Sequence, residues 1–154
     1  MIDALFTGWG FSDIALLLNR IAVGAFFMFS GYHKLFNVPR HKVFVSELRS
    51  LRVPVIRLNQ WSVPIFEFMG GAAVVIGFMT SLSALALLVI ILIAIATSGR
   101  LRLRSYQPID LSDRIDDWLY LPETLYAFML LVVISAGAGR YSVDGVIVSL
   151  INRS

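Results

Sequence analysis

Glu67 stands in the run FEFMGGAAVVIGF and Arg20 in LLLNRIAVGAFF, each an ionisable side chain inside an otherwise apolar stretch. At the centre of a bilayer such a group costs about 2.5 kcal/mol or more, so it faces a bundle interior and finds a partner. Helical spacing gives each charge a glycine-lined face. From Glu67, Gly70 and Gly71 lie at i+3 and i+4 and Gly77 at i+10; from Arg20, Gly24 and Gly31 lie at i+4 and i+11. Small residues let a neighbouring helix come close, so the two faces invite mutual packing. Two kinds of work fit the charges. One is a structural lock that fixes helix register. The other is a polar pocket in which Arg20, Glu67, Ser30 and Tyr32, with Lys34 and Glu123 near the opposite boundary, hold a polar head such as a quinone or relay a proton. Contacts between subunits of an oligomer are a third use.

Depth leaves the partner of Glu67 open. At 1.5 Å per residue, Arg20 lies about 12 Å from one edge of its apolar run and Glu67 about 10 Å from the other edge of the layer. The two meet only if both side chains extend. Lys34 and Glu123 are alternative partners from the other end.

The elements that must position these groups follow from composition. Of 154 residues, 58% are hydrophobic and 15% charged, with a mean hydropathy of +0.80. Soluble chains carry about 25% charged residues, so the solvent expected here is lipid. Four segments approach the roughly 20 helical residues that cross a bilayer: 11–33, 61–79, 82–98 and 121–138. Backbone groups in hydrocarbon need internal partners, which makes these segments helices. The expectation is an all-α bundle of four transmembrane helices in one integral membrane domain, residues 1–154. The first segment is not expected to be a signal peptide, because Asp3 and Asp13 are the early charges in place of a basic start and Arg20 interrupts the apolar run.

Ten of the thirteen Lys and Arg residues fall after the first span or after the third. By the positive-inside rule those regions are cytoplasmic and both termini are not, as in a bacterial inner-membrane protein. Between the first two spans, RHKVFVSELRSLRVP places Phe44, Leu48 and Leu51 at i, i+4 and i+7, with Arg40, Lys42, Arg49 and Arg52 mainly on other faces. This predicts a basic amphipathic helix in the headgroup layer, ending near Pro54, able to meet anionic lipid or a partner. Thr80 and Ser81 are expected to join the second and third spans tightly. The segment from Arg100 to Trp118 turns from basic to acidic, a loop leading into a short capped helix. Pro122 suits the first turn of the fourth span, and the tail Arg140–Asn152 is expected to lie along the outer interface.

Several chemistries are excluded or unexpected. There is no cysteine, so the chain offers no thiolate, disulfide exchange or iron–sulfur ligation. Asp113, Asp116 and Asp117 lack the spacing and glycine of a calcium loop, and no metal site is expected. His33 and His41 stand at or beyond the membrane edge, which argues against a bis-histidine haem site. Membrane topology accounts for the basic loops, so nucleic acid is not an expected partner.

In these residues the chain resembles the DoxX family of small four-span membrane proteins. The resemblance rests on Arg20 and Gly24 followed by SGYHKLF, on Leu51, Val53 and Pro54 before the second span, and on the Glu-x-x-Gly-Gly of Glu67, Gly70 and Gly71. Glu123 opens the fourth span, and GAGRYSVDGVI (Gly137, Gly139, Arg140, Tyr141, Ser142, Asp144) closes the chain. Two departures are Ser30, where the family often has histidine, and a longer loop from Arg100 to Trp118. The resemblance implies an accessory or anchoring subunit of a membrane redox system, with a membrane oxidoreductase, membrane lipids or further copies of the chain as partners. A quinone is the one cofactor this reading suggests, and the chain is not expected to be an enzyme alone. A small transporter, a lipid-binding protein and a purely structural membrane protein are the alternatives.

Overall fold

The structure, a computed structural model, describes residues 12–103 and 110–152, apart from the side chain of Arg114. Among them every regular element is helical: α1 (Ser12–Phe36), α2 (Val38–Ser50), α3 (Ile56–Ile76), α4 (Thr80–Ala94), a π-helical turn (Ile95–Gly99), α5 (Arg100–Leu103), α6 (Leu111–Leu119), α7 (Pro122–Ala136) and α8 (Val143–Ile151). Helix α1 and the continuous rod Thr80–Leu103 are long and apolar enough to cross a membrane, and α6 with α7 adds a third candidate if the pair, bent by 67°, counts as one span. Helix α3 has the length but carries Arg57, Asn59, Gln60 and Glu67. Helix α7 has 15 residues, about 22 Å of helix against a hydrocarbon layer of about 30 Å.

Helix α1 packs most extensively on α3, α3 on α4, α4 on α7, and α7 returns to α1. The α1–α3 seam brings backbone against backbone. A Cβ on Gly24 would come within 2.8 Å of the Gly71 carbonyl, and one on Gly31 within 2.5 Å of the Pro64 carbonyl and the Phe68 amide. Pro64 lies inside α3, and its carbonyl packs where Gly31 has left room.

The filling of the bundle is uneven. Val23, Phe27, Val74, Ala84, Leu87, Ile91, Ala127, Leu130 and Val133 form one buried cluster toward the end that carries α8. Toward the end that carries α2, the same four helices line a cavity. Many large apolar side chains on the outer surface are exposed, among them Leu18, Phe29, Phe66, Leu82, Ile93 and Phe128, which suits a lipid surround.

Local chemistry moves several expected boundaries. Gly77, at φ +74°, ends α3, and α4 already begins at Thr80. The tight turn is therefore 77–79 rather than Thr80–Ser81, and α3 occupies Ile56–Ile76 instead of 61–79. The third segment runs past Ser98 to Leu103, because the π-helical turn carries the rod onward. Helix α2 ends at Ser50, with Leu51 as its C-cap. Asp110 caps α6 through the Asp113 amide and Pro122 opens α7, as expected. Residue 11, where the first span was expected to start, and Arg104 and Arg153, which enter the charge count, lie outside the described residues.

Candidate functional site

Two charged centres occupy opposite ends of the bundle. At the α2 end, Lys34 on α1 donates to both carboxylate oxygens of Glu67 on α3, at 2.7 and 2.6 Å. Ser30, one turn before Lys34, donates to the same carboxylate at 3.2 Å. The Glu67 side chain is 7% exposed and that of Lys34 24%. Burying a carboxylate is costly, and an ion pair with hydrogen bonds offsets that cost. The glycine seam makes the pairing reachable: α1 and α3 run antiparallel, and the close contact of Gly31 with Phe68 sets Ser30 and Lys34 beside Glu67.

This ion pair opens into a cavity of about 550 Å³. Phe26 and Phe27 of α1, Phe44 and Leu48 of α2, and Ile90, Ile91 and Ile93 of α4 supply apolar walls. Asn59, Thr97, Ser98 and a second ion pair supply polar points. That second pair is Arg102 to Glu123, at 2.8 Å. The other Glu123 oxygen, Oε2, is buried and has no hydrogen-bond partner among the described residues. The π-helical turn shapes the wall that holds Thr97 and Ser98. A π turn widens the helix and frees carbonyls, and such turns recur at functional sites. Here the Thr97 hydroxyl donates back to the Ile93 carbonyl at 2.7 Å.

Helix α2 forms part of the enclosure. Asn37 caps its start by accepting from the Arg40 amide. His41 Nδ1 lies 2.9 Å from the Lys34 carbonyl, and its ring lies against Trp61 of α3, centroids 4.6 Å apart. The Lys34 ammonium also sits 5.0 Å from the centre of the Phe44 ring, a cation–π contact. The return from α2 to α3 uses left-handed backbone at Arg52 and Val55, φ 52° and 51°. For a β-branched residue such as Val55 that conformation is costly, and it brackets the cavity-lining Val53 and Pro54.

Arg20 belongs to the other centre. Fourteen residues separate it from Lys34, about 21 Å along the helix, and it neither pairs with Glu67 nor lines the cavity. It is fully buried and donates through Nη2 to the Tyr141 carbonyl at 2.6 Å. Its Nε and Nη1 have no hydrogen-bond partner among the described residues. Gly77 and Ser142 close over it; a Cβ on Gly77 would collide with Nη1. Beside it, Asp144 of α8 accepts from the Met79 amide at 2.9 Å, the Thr80 amide at 2.8 Å and the Thr80 hydroxyl at 2.7 Å. Met79 has no side-chain cap of its own for α4, so a residue from the far end of the chain caps that helix. Arg20 and Asp144 tie the tail onto the α3–α4 turn, and within the tail Val143–Ile151 is helical.

Burial pushes the Asp144 carboxyl upward, but the Thr80 amide and hydroxyl, the Met79 amide and the Arg20 charge together hold it below its ordinary value of 3.8. A folded-state value below the unfolded one contributes stability above the unfolded value, lost as pH falls through the folded one. Asp144→Asn is therefore expected to lower stability at neutral pH by about 1 kcal/mol, because an NH2 replaces one of two accepting oxygens and the charge beside Arg20 is lost. The gap from wild type should close below about pH 4. Unfolding midpoints measured from pH 3 to 7 check this. A gap that stays constant across the range would contradict the charged-cap account.

Of the residues singled out in the sequence, Ser30, Lys34, Glu67 and Glu123 come together around the cavity, and Arg20 and Tyr32 do not. Tyr32 is 47% exposed and packs on Phe36 and Phe68. Two residues apart on a helix is about 200°, so Tyr32 points away from the face that carries Ser30 and Lys34. Arg102, Thr97, Ser98 and Phe44 were not anticipated at the site. Arg102 had only its basic cluster to mark it, and the π turn leaves no sequence signal.

The DoxX family model matches residues 15–100, from α1 through the π-helical turn. No curated protein and no solved structure matches the chain. The matched stretch covers more than half of the sequence and includes Ser30, Lys34 and Glu67, whereas Arg102, Glu123 and Asp144 lie beyond it. The chain is a membrane protein of the DoxX family.

Proposed function

We propose that the cavity holds a quinone-type head group and that the protein is a membrane subunit or anchor of a redox system. The observation that carries this reading is a buried, hydrogen-bonded ion pair, Lys34–Glu67, facing a largely apolar cavity of about 550 Å³. Concave, mostly apolar sites with a few convergent polar groups are the usual form of small-molecule sites. The residues suit the group chemically. Lys34 and Arg102 are donors for carbonyl oxygens, and Glu67 and Glu123 are acceptors for hydroxyls, Glu123 Oε2 having no hydrogen-bond partner among the described residues. Phe26, Phe27 and Phe44 offer faces to a flat ring. Ile93 and Phe26 line the cavity and are also exposed on the bundle surface, so an apolar tail can leave toward lipid.

A bound quinone supplies a carrier of two electrons and two protons. The chain's own residues hold the head, keep it apart from bulk water and offer carboxylates that take or return protons. The chain has no cysteine, and a partner oxidoreductase supplies the electrons. The same reading takes α1, α3, the Thr80–Leu103 rod and α7 as four spans of a bacterial inner membrane, with α2 at the cytoplasmic headgroup layer and both termini opposite. The Lys and Arg asymmetry supports that orientation.

The test is extraction from native membranes in mild detergent, with bound quinone and co-purifying proteins identified by mass spectrometry. Stoichiometric quinone is expected with wild type, together with an oxidoreductase subunit. A Lys34→Met, Glu67→Leu double variant is expected to come off without quinone. Wild type emerging alone with bulk lipid would overturn the reading.

A further inference from the structure

Helix α2 has a second working face. Phe44, Glu47, Leu48 and Leu51 turn toward the large cavity. The other side of the same helix, with Gln60 of α3, borders a separate open cleft of about 330 Å³, lined by His41, Lys42, Val45, Ser46, Arg49 and Gln60. Lys42, Ser46 and Arg49 follow at i, i+4 and i+7, so they stand in one row along the helix. None of the lining residues is acidic. Glu47, the one carboxylate of α2, faces the other cavity, and no ion pair of Lys42 or Arg49 is seen among the described residues.

The cleft also has polar and apolar parts suited to a particular anion. The Lys34 carbonyl can only accept, so His41 donates to it through Nδ1, which fixes the ring and leaves Nε2 for another partner. Gln60 donates to the Arg57 carbonyl and Ser46 to the Val43 carbonyl, which orients both side chains. Trp61, its ring tilted against His41 and 47% exposed, follows Gln60 at the cleft, and Val38 and Val43 of α2 and Leu58 of α3 are exposed. Cations with no ion pair among the described residues, one aromatic ring and exposed aliphatic residues together describe a surface lying at the level of lipid phosphates. A cleft of this size exceeds what inorganic phosphate alone needs and leaves room for the glycerol it is esterified to.

We infer that the cleft between α2 and α3 is a binding site for the phosphate group of an anionic phospholipid, with Lys42 and Arg49 as its charged ligands. The site is separate from the large cavity and does not depend on what occupies that cavity. Lys42 supplies a point charge, and Arg49 a planar fork that meets two phosphate oxygens at once.

The test uses delipidated full-length protein in detergent, titrated with phosphatidylglycerol or phosphatidylcholine and read by native mass spectrometry. Wild type is expected to take up one phosphatidylglycerol in preference to phosphatidylcholine. Lys42→Gln with Arg49→Gln is expected to weaken that uptake on the order of thirtyfold, from two cations at the lipid surface. Both positions are exposed, so the variant should keep the wild-type unfolding midpoint. Arg40→Gln with Arg52→Gln removes the same charge from elsewhere on the segment and should leave the tight adduct in place. Equal loss in both double variants would overturn the site in favour of diffuse surface charge. Equal uptake of the two lipids would overturn it outright. Displacement of the lipid by inorganic phosphate at similar concentration would overturn the assignment to lipid.

Discussion

Lys34→Met, with Glu67 left in place, is expected to destabilise the folded protein by about 3–5 kcal/mol, because it strands a buried carboxylate. Only the Ser30 hydroxyl would remain on that group, at 3.2 Å. Adding Glu67→Leu should recover most of the loss, since an apolar pair of similar volume removes the desolvation cost together with the attraction. Denaturant titration of the single and double variants in detergent reads both quantities. The cycle separates two roles for the pair. A double variant that folds like wild type but retains no quinone assigns the ions to binding. A double variant that fails to recover assigns them to fixing the α1–α3 register. A single variant as stable as wild type would contradict the buried pairing itself.

Gly71→Ala should be more damaging than a one-carbon change suggests, and Gly70→Ala, its neighbour, should be nearly silent. A Cβ on Gly71 would meet the Met28 amide and Cα and the Gly24 carbonyl, all backbone atoms of α1. Backbone cannot rotate away, so the helices must separate, at a cost at or beyond the upper end of the range of about 1–3 kcal/mol for overpacking. The same displacement would draw Lys34 away from Glu67. At Gly70 the new carbon meets only the tip of Leu87, at 3.2 Å, and a flexible side chain can yield. Alanine also gains up to about 1 kcal/mol over glycine in helix propensity. Gly31→Ala belongs with Gly71→Ala, since it would press on the Phe68 amide and the Pro64 carbonyl at 2.5 Å. Unfolding midpoints of the three variants check the order. Similar losses at Gly70 and Gly71 would contradict the seam as described.

Sequence by itself determined the class of solvent, the helical character and part of the cavity lining, namely Ser30, Lys34, Glu67 and Glu123. Apolar runs and the scarcity of charge are one-dimensional properties, and lipid permits them few structures. Glu67 with its glycines was legible because a helix projects i+3 and i+4 onto one face whatever it packs against. Ser30 and Lys34 were legible for the same reason. Helix ends shifted where one residue decides them, as Gly77 does for α3.

Which charge meets which was decided only by the tertiary structure. Arg20 and Lys34 are both cations on α1, and nothing local distinguishes them as partners for Glu67. The choice rests on the axial offset between α1 and α3, set by backbone contacts at Gly24, Gly31, Pro64 and Gly71. That offset places Glu67 level with Lys34 and leaves Arg20 level with the 77–79 turn and Tyr141. The capping of α4 by Asp144 and the pairing of Arg102 with Glu123 have the same origin. Each joins residues distant in sequence, so each exists only once the helices have docked.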